Sequence, residues 1–206
     1  MDSFAKILII GIGNADRGDD AAGLTIARQL KEYTNAETRI IEQGGENATL
    51  IEHWQKAVNV FLLDAVSGSG KIGTIYRFEA HDNPIPAKFF NHSTHAFGVA
   101  EAIELARALH QLPKRLIVYG VEGKNYTPGA GLSSEVEKAV PQVVHRVRRE
   151  IEKIRRGKIE PDKNKMPENG KISSRNRNRL DTETRNKARL DRGKQKMGEP
   201  ASPISL

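Results

Sequence analysis

The sequence predicts an α/β fold with three layers, α/β/α, around a mostly parallel five-stranded sheet that includes one antiparallel strand. Three observations carry this. Four short runs rich in β-branched residues are apolar almost throughout, as strands buried on both faces of a parallel sheet must be. Between them lie stretches whose apolar residues recur at the helical period. A turn-rich link, "SGSGKIG", joins the third run to a further β-rich run at hairpin distance.

The elements follow in order. Residues 6–10, 39–42, 58–63 and 116–121 are the four apolar runs, and residues 72–79 supply the antiparallel strand after the hairpin link. Helical patterns cover residues 20–33, 47–55 and 96–110, the last with Val99, Ile103, Ala106 and Leu109 on one face. A final helix over residues 133–155 starts with Ser133 or Ser134 as N-cap and has Glu137 in its first turn. These elements define a domain over residues 1–156. Residues 157–206 carry 13 Lys and Arg against 7 Asp and Glu, with few large apolar side chains. Such a segment cannot bury enough surface to offset its ordering entropy, so a basic, disordered tail is expected.

The tail accounts for most of the net charge of +7, so the basic balance is no sign that the folded part binds nucleic acid. The absence of cysteine removes disulfides, thiolate metal sites and cysteine nucleophiles together. An acidic residue at position 2 and a short apolar run at 7–10 do not make a signal peptide, and no apolar stretch nears bilayer length. A soluble, cytoplasmic protein that does not engage a membrane is expected, and a monomer, since no heptad or exposed apolar stripe is visible.

The chemistry centres on "GIGNADRGDDAAG", residues 11–23, at the end of the first strand. A dinucleotide fingerprint G-x-G-x-x-G counted from Gly11 needs its third glycine where Asp16 stands. Glu42, at the end of the second strand, could serve the ribose, but Asp19 and Asp20 would repel a pyrophosphate at the helix N-terminus. "SGSGK" lacks the first glycine and the final Ser or Thr of a P-loop, and it lacks the spacing of a serine nucleophile elbow. A cation suits the loop better. One Asp is enough to cap a helix, and two adjacent ones exceed that need. Asp64 ends the third strand in "VFLLDAV", and in an open α/β sheet the carboxyl ends of strands line the ligand crevice. His92 and His95 stand at the start of a helix in "HSTHAFGVAEAIELA", and either could approach the two aspartates. Two carboxylates and an imidazole suit a first-row divalent ion with open positions. His53, His81, His110 and His145 read as surface residues.

"GIGN…RGDDAAGL", "LLDAV", "HSTHAFGVAEAI" and "VYGVEGKNYTPGAGLSSEVEKAVPQVV", in this order, resemble the hydrogenase maturation endopeptidases over roughly residues 5–152. That resemblance implies an endopeptidase that removes a C-terminal extension from the large-subunit precursor of a nickel–iron hydrogenase after nickel insertion. It implies Asp20, Asp64 and His95 as the metal-binding and catalytic residues, selecting His95 over His92. It also implies nickel carried by the substrate, with no nucleotide. Two positions depart from the family pattern. Asp20 stands where Glu is common, and Gln43-Gly44-Gly45-Glu46 stands where D-G-G-T is common. The loops at residues 82–91 and 123–131 are expected to grip the extension. A nucleotide-binding oxidoreductase domain and a non-catalytic nickel-binding scaffold are the alternatives.

Overall fold

The structure is a computed structural model that describes residues 5–44, 49–68, 70–82, 84–85 and 98–157. The tail beyond residue 157, His92 and His95 lie outside the described residues, as does most of the 82–91 loop. Backbone contacts divide the chain into Met1–Pro161 and Asp162–Leu206, and the described residues all fall in the first.

Five strands form one sheet: β1 (Ala5–Ile12), β2 (Thr38–Gln43), β3 (Ala57–Val66), β4 (Ile75–Glu79) and β5 (Arg115–Glu122). Their order is β2-β1-β3-β5-β4. The first four neighbours in that row run parallel, and β4 pairs antiparallel with β5, as the hairpin link required. The helices are α1 (Ala22–Leu30), α2 (Leu50–Trp54), α3 (Val99–Ala108) and α4 (Ser134–Arg155).

Burial on both sides explains the near-continuous apolar runs. Alternate residues of each central strand face opposite layers. Ile7, Ile9, Phe61, Leu63, Ile117 and Tyr119 pack with α1 and α4. Leu8, Ile10, Val60, Leu62, Leu116 and Val118 pack with α2 and α3. The three-layer expectation holds.

The first helix differs from the continuous stretch expected over residues 20–33. It is a 3-10 turn at Gly18–Ala21, then α1, then a second 3-10 turn at Lys31–Tyr33. A local reason lies at Gly18, whose φ of 57° is left-handed and which turns the chain into the first of these turns. α1 then lies close against the sheet because Gly23 has no side chain: a Cβ there would stand 2.2 Å from the Leu63 carbonyl and 2.3 Å from that of Ile12. The glycines of this loop therefore serve helix–strand contact as well as the turn. The antiparallel strand starts at Ile75, three residues later than expected, because Lys71–Thr74 is occupied by a turn in which Thr74 N–H donates to the Lys71 carbonyl. No helix among the described residues is long and apolar enough to cross a membrane.

Candidate active site

The order of the strands changes direction between β1 and β3: the chain leaves β1 toward β2 on one side and leaves β3 toward β5 and β4 on the other. Ligands of open α/β sheets bind at such a switch, beyond the carboxyl ends. The loop after β1 carries Asp19 and Asp20, and the end of β3 carries Asp64, so two predicted acids meet at this switch.

Asp64 is almost fully buried, with 7% of its surface exposed. It is in register with Gly120 of β5, and strand alternation puts it on the α2/α3 side with Leu62 and Val66. Burial first, and then the negative charge of Asp20, push its carboxyl well above the usual carboxylate range, against a smaller opposite pull from the Ala65 N–H. Asp20 is half-buried in the 3-10 turn, and its Oδ2 accepts the Asn14 N–H at 3.1 Å. Two carboxyls whose charges oppose each other can share a proton, exchange one with a water, or receive a cation that removes the repulsion. Among the described residues no three acids, histidines or cysteines come together as a metal site. The third predicted member, His95, is outside them, so the described site is an acid pair.

Asp19 does something the sequence reading did not find. It caps neither the 3-10 turn nor α1 with its side chain. It is fully buried and reaches across to the loop between β5 and α4. Its Oδ2 accepts the N–H groups of Lys124 at 2.8 Å and Asn125 at 2.9 Å and the Ser133 hydroxyl at 3.1 Å. Its Oδ1 accepts the Ser133 N–H at 2.6 Å. Burial alone would raise this carboxyl. The donated hydrogen bonds outweigh it and hold the group below the usual range. Ser133 occupies the N-cap position of α4 as expected, but its hydroxyl serves Asp19 rather than the helix.

Two further residues escaped the sequence reading. The Tyr126 hydroxyl donates to the Val66 carbonyl at 3.1 Å, and its pKa is raised by burial and then by the charges of Asp19, Asp64, Asp20 and Glu122. Glu122 is buried at the end of β5, where its Oε1 accepts the Gly68 N–H at 2.8 Å. The signal that could have flagged Glu122 is a lone acid ending an apolar strand, the same pattern that flagged Asp64. Nothing local marks Tyr126. Glu42, the candidate ribose ligand, is instead engaged by Arg28 at 2.8 Å and Lys31 at 2.6 Å. The surface readings of His81 and His53 need qualification. His81 is exposed, yet its Nε2 lies 2.8 Å from the Pro113 carbonyl, and His53 is half-buried, with burial lowering its pKa.

Comparison with known proteins gives the family and the fold. The family model for hydrogenase maturation protease matches residues 24–150. The chain is 28% identical over 146 residues to the hydrogenase 2 maturation protease of Escherichia coli, covering 69% of this chain and 88% of that protein. The solved structure of the hydrogenase maturating endopeptidase HybD from E. coli superposes with a TM-score of 0.61 at 27% identity, covering 69% of this chain and 89% of that one. A [NiFe] hydrogenase maturation protease, HycI from Thermococcus kodakarensis, shares the fold with a TM-score of 0.58 at 22% identity, over 72% and 93% of the two chains. With a matching family model over more than half its length and this fold, the chain belongs to the hydrogenase maturation protease family.

Proposed function

We propose that this peptidase removes the C-terminal extension of a nickel–iron hydrogenase large-subunit precursor, and that it does so only when the precursor already carries nickel. The observation that supports this best is the pairing of Asp20 and Asp64 at the strand-order switch, with like charges that disfavour each other until a cation or a proton intervenes. Nickel arriving in the substrate would be received by Asp20, Asp64 and His95, and it would supply positive charge where the protein has placed two acids. Asp20 is shorter by one methylene than the Glu common at its position in the family, so either the metal would sit about an ångström nearer this turn or the loop would compensate.

In this reading the metal docks the substrate and the acids do the chemistry. One carboxylate accepts a proton from a water whose oxygen bonds to the scissile carbonyl carbon. The proton then passes to the departing amine as the C–N bond breaks. The protein acts in this reading as a monomer on the hydrogenase precursor, in the cytoplasm.

The experiment is intact-mass analysis of a precursor large subunit incubated with the protein, in nickel-loaded and nickel-free forms. Loss of one C-terminal peptide from the loaded form alone is expected. Equal cleavage of both forms removes the role of nickel, and cleavage of neither removes this substrate.

A further inference from the structure

We propose that Asp19 is a positioning residue for the reaction: it locks the loop at residues 123–133 onto the turn that carries Asp20, and so holds Asp20 at Asp64. The inference rests on the peptidase reading above and deepens it.

Asp19 and Asp20 are adjacent, yet their side chains belong to different structures. The Asp20 carboxyl is tied back to its own loop through Asn14 N–H. The Asp19 carboxyl is spent on residues 105 to 114 positions away, accepting three N–H groups and one hydroxyl. The main chain doubles this bond. Asp19 N–H donates to the Asn125 carbonyl at 2.7 Å, Gly18 N–H to the Ala130 carbonyl at 3.1 Å, and Gly129 N–H to the Asp16 carbonyl at 2.7 Å. The Arg17 Nε donates to the Tyr126 carbonyl at 3.2 Å. A Cβ on Gly18 would stand 2.2 Å from the Asn125 carbonyl oxygen, so the two loops touch backbone to backbone.

The 123–133 loop is bonded to the other acid's strand as well. Gly123 N–H and the Tyr126 hydroxyl both donate to the Val66 carbonyl, two residues beyond Asp64. One loop thus fixes the end of β3 and the turn after β1 relative to each other. Asp19 is fully buried at that junction, with all four of its side-chain bonds running to the 123–133 loop. A group that only stabilised the fold would lower stability when changed and leave kcat intact, whereas one that sets Asp20 against Asp64 changes kcat.

An Asn at position 19 keeps the size but has a single acceptor oxygen, and its NH2 must face an N–H donor. The test uses the full-length chain and the nickel-loaded precursor. Asp19→Asn is expected to lower kcat about 100-fold with little change in KM, the scale on which a misplacement of about 1 Å acts. Amide exchange at Lys124, Asn125 and Ser133 is expected to accelerate about 10-fold or more as those bonds are lost. Glu150→Gln, which breaks an ion-pair network at the opposite edge of the sheet, is the control for general destabilisation and is expected to keep wild-type kcat while folded. If Asp19→Asn does not fold, Ser133→Ala removes one of the four bonds, and a drop in kcat of about threefold supports the role. Wild-type kcat in either variant overturns it, as does an equal loss in Glu150→Gln. A wild-type protein that fails to cleave overturns the peptidase reading itself, and the exchange rates then show whether the clamp exists apart from it.

Discussion

The acid pair at the carboxyl edge of the sheet and the ion network toward its amino edge treat their charges in opposite ways. At the carboxyl edge, Asp64 is buried beside Asp20, and burial together with that like charge raises its carboxyl well above the usual range. Toward the amino end of β5, Glu150 of α4 accepts from Arg77 at 2.9 Å, from Arg115 at 3.2 Å and from the Tyr119 hydroxyl at 2.6 Å. Glu79 accepts from the same two arginines, from Arg77 at 3.2 Å and from Arg115 at 3.1 Å. Two arginines face two glutamates, and the network is neutral. Breaking such a network costs stability, because a buried charge loses its partner. Disturbing the acid pair relieves a repulsion, so any cost falls on function. The expectation is a crossed result: one edge carries activity and the other carries stability.

The largest effect tests the first half of that statement. Asp64→Asn and Asp20→Asn, each a change of one atom, are expected to lower precursor cleavage about 1,000-fold, roughly 4 kcal/mol of barrier. Asp64→Asn should leave the unfolding free energy in urea unchanged or raise it by about 1 kcal/mol, since a buried carboxyl next to a like charge is gone. Full cleavage by both variants would remove the acid pair from the reaction. A strongly destabilised Asp64→Asn would mean that the pair holds the fold.

Much of this contrast was legible in the sequence, and the missing part is of one kind. Asp64 was visible because it ends an apolar run, and a strand end fixes which edge a residue reaches. Gly11, Gly13 and the two aspartates were visible as a loop between a strand and a helix. What the sequence could not show is partnership at long range. Asp19 looked like a helix cap because capping is the local use of an Asp before a helix. Its partners are Lys124, Asn125 and Ser133, brought near only because the loop between β5 and α4 meets the loop after β1. The Arg77–Glu150 pair is separated by 73 residues in the same way. The split of the first helix into three short elements was likewise hidden, since Gly18 reads as an ordinary loop glycine until its contact with Asn125 is seen.

The second half of the crossed result concerns Glu150. Glu150→Gln should cost about 2 kcal/mol in urea or thermal unfolding, because Arg77 and Arg115 lose one of their two shared counter-charges and keep only the more exposed Glu79. The pH profile sharpens it. Burial alone would raise the Glu150 carboxyl, but hydrogen bonds from Arg77 and Tyr119 hold it below its ordinary value of 4.5. The unfolded chain therefore binds more protons in the acid range, and the stabilisation is complete above about pH 4.5 and lost as pH falls through the folded value. Glu150→Gln should flatten part of that acid limb in unfolding measured from pH 6 to pH 2. A residual slope is expected from Asp19, whose carboxyl is lowered in the same direction. An unchanged slope would show that Glu150 keeps its ordinary value in the folded protein.

The smallest effect separates position from pairing. Glu42 is the second-to-last residue of β2 and so lies toward the carboxyl edge, like Asp64, but it is paired with two cations, like Glu150. Its hydrogen bonds from Arg28 and Lys31 hold its carboxyl below the usual range, and the three side chains are all partly exposed to water. If pairing decides a charge's role, Glu42→Gln should cost about 0.5 kcal/mol, as exposed ion pairs do, and change the cleavage rate by less than about twofold. A large loss of cleavage with stability intact would break the comparison at this point. An acid already satisfied by neighbouring cations would then be acting on the substrate, and membership of the carboxyl edge would matter more than the state of the charge.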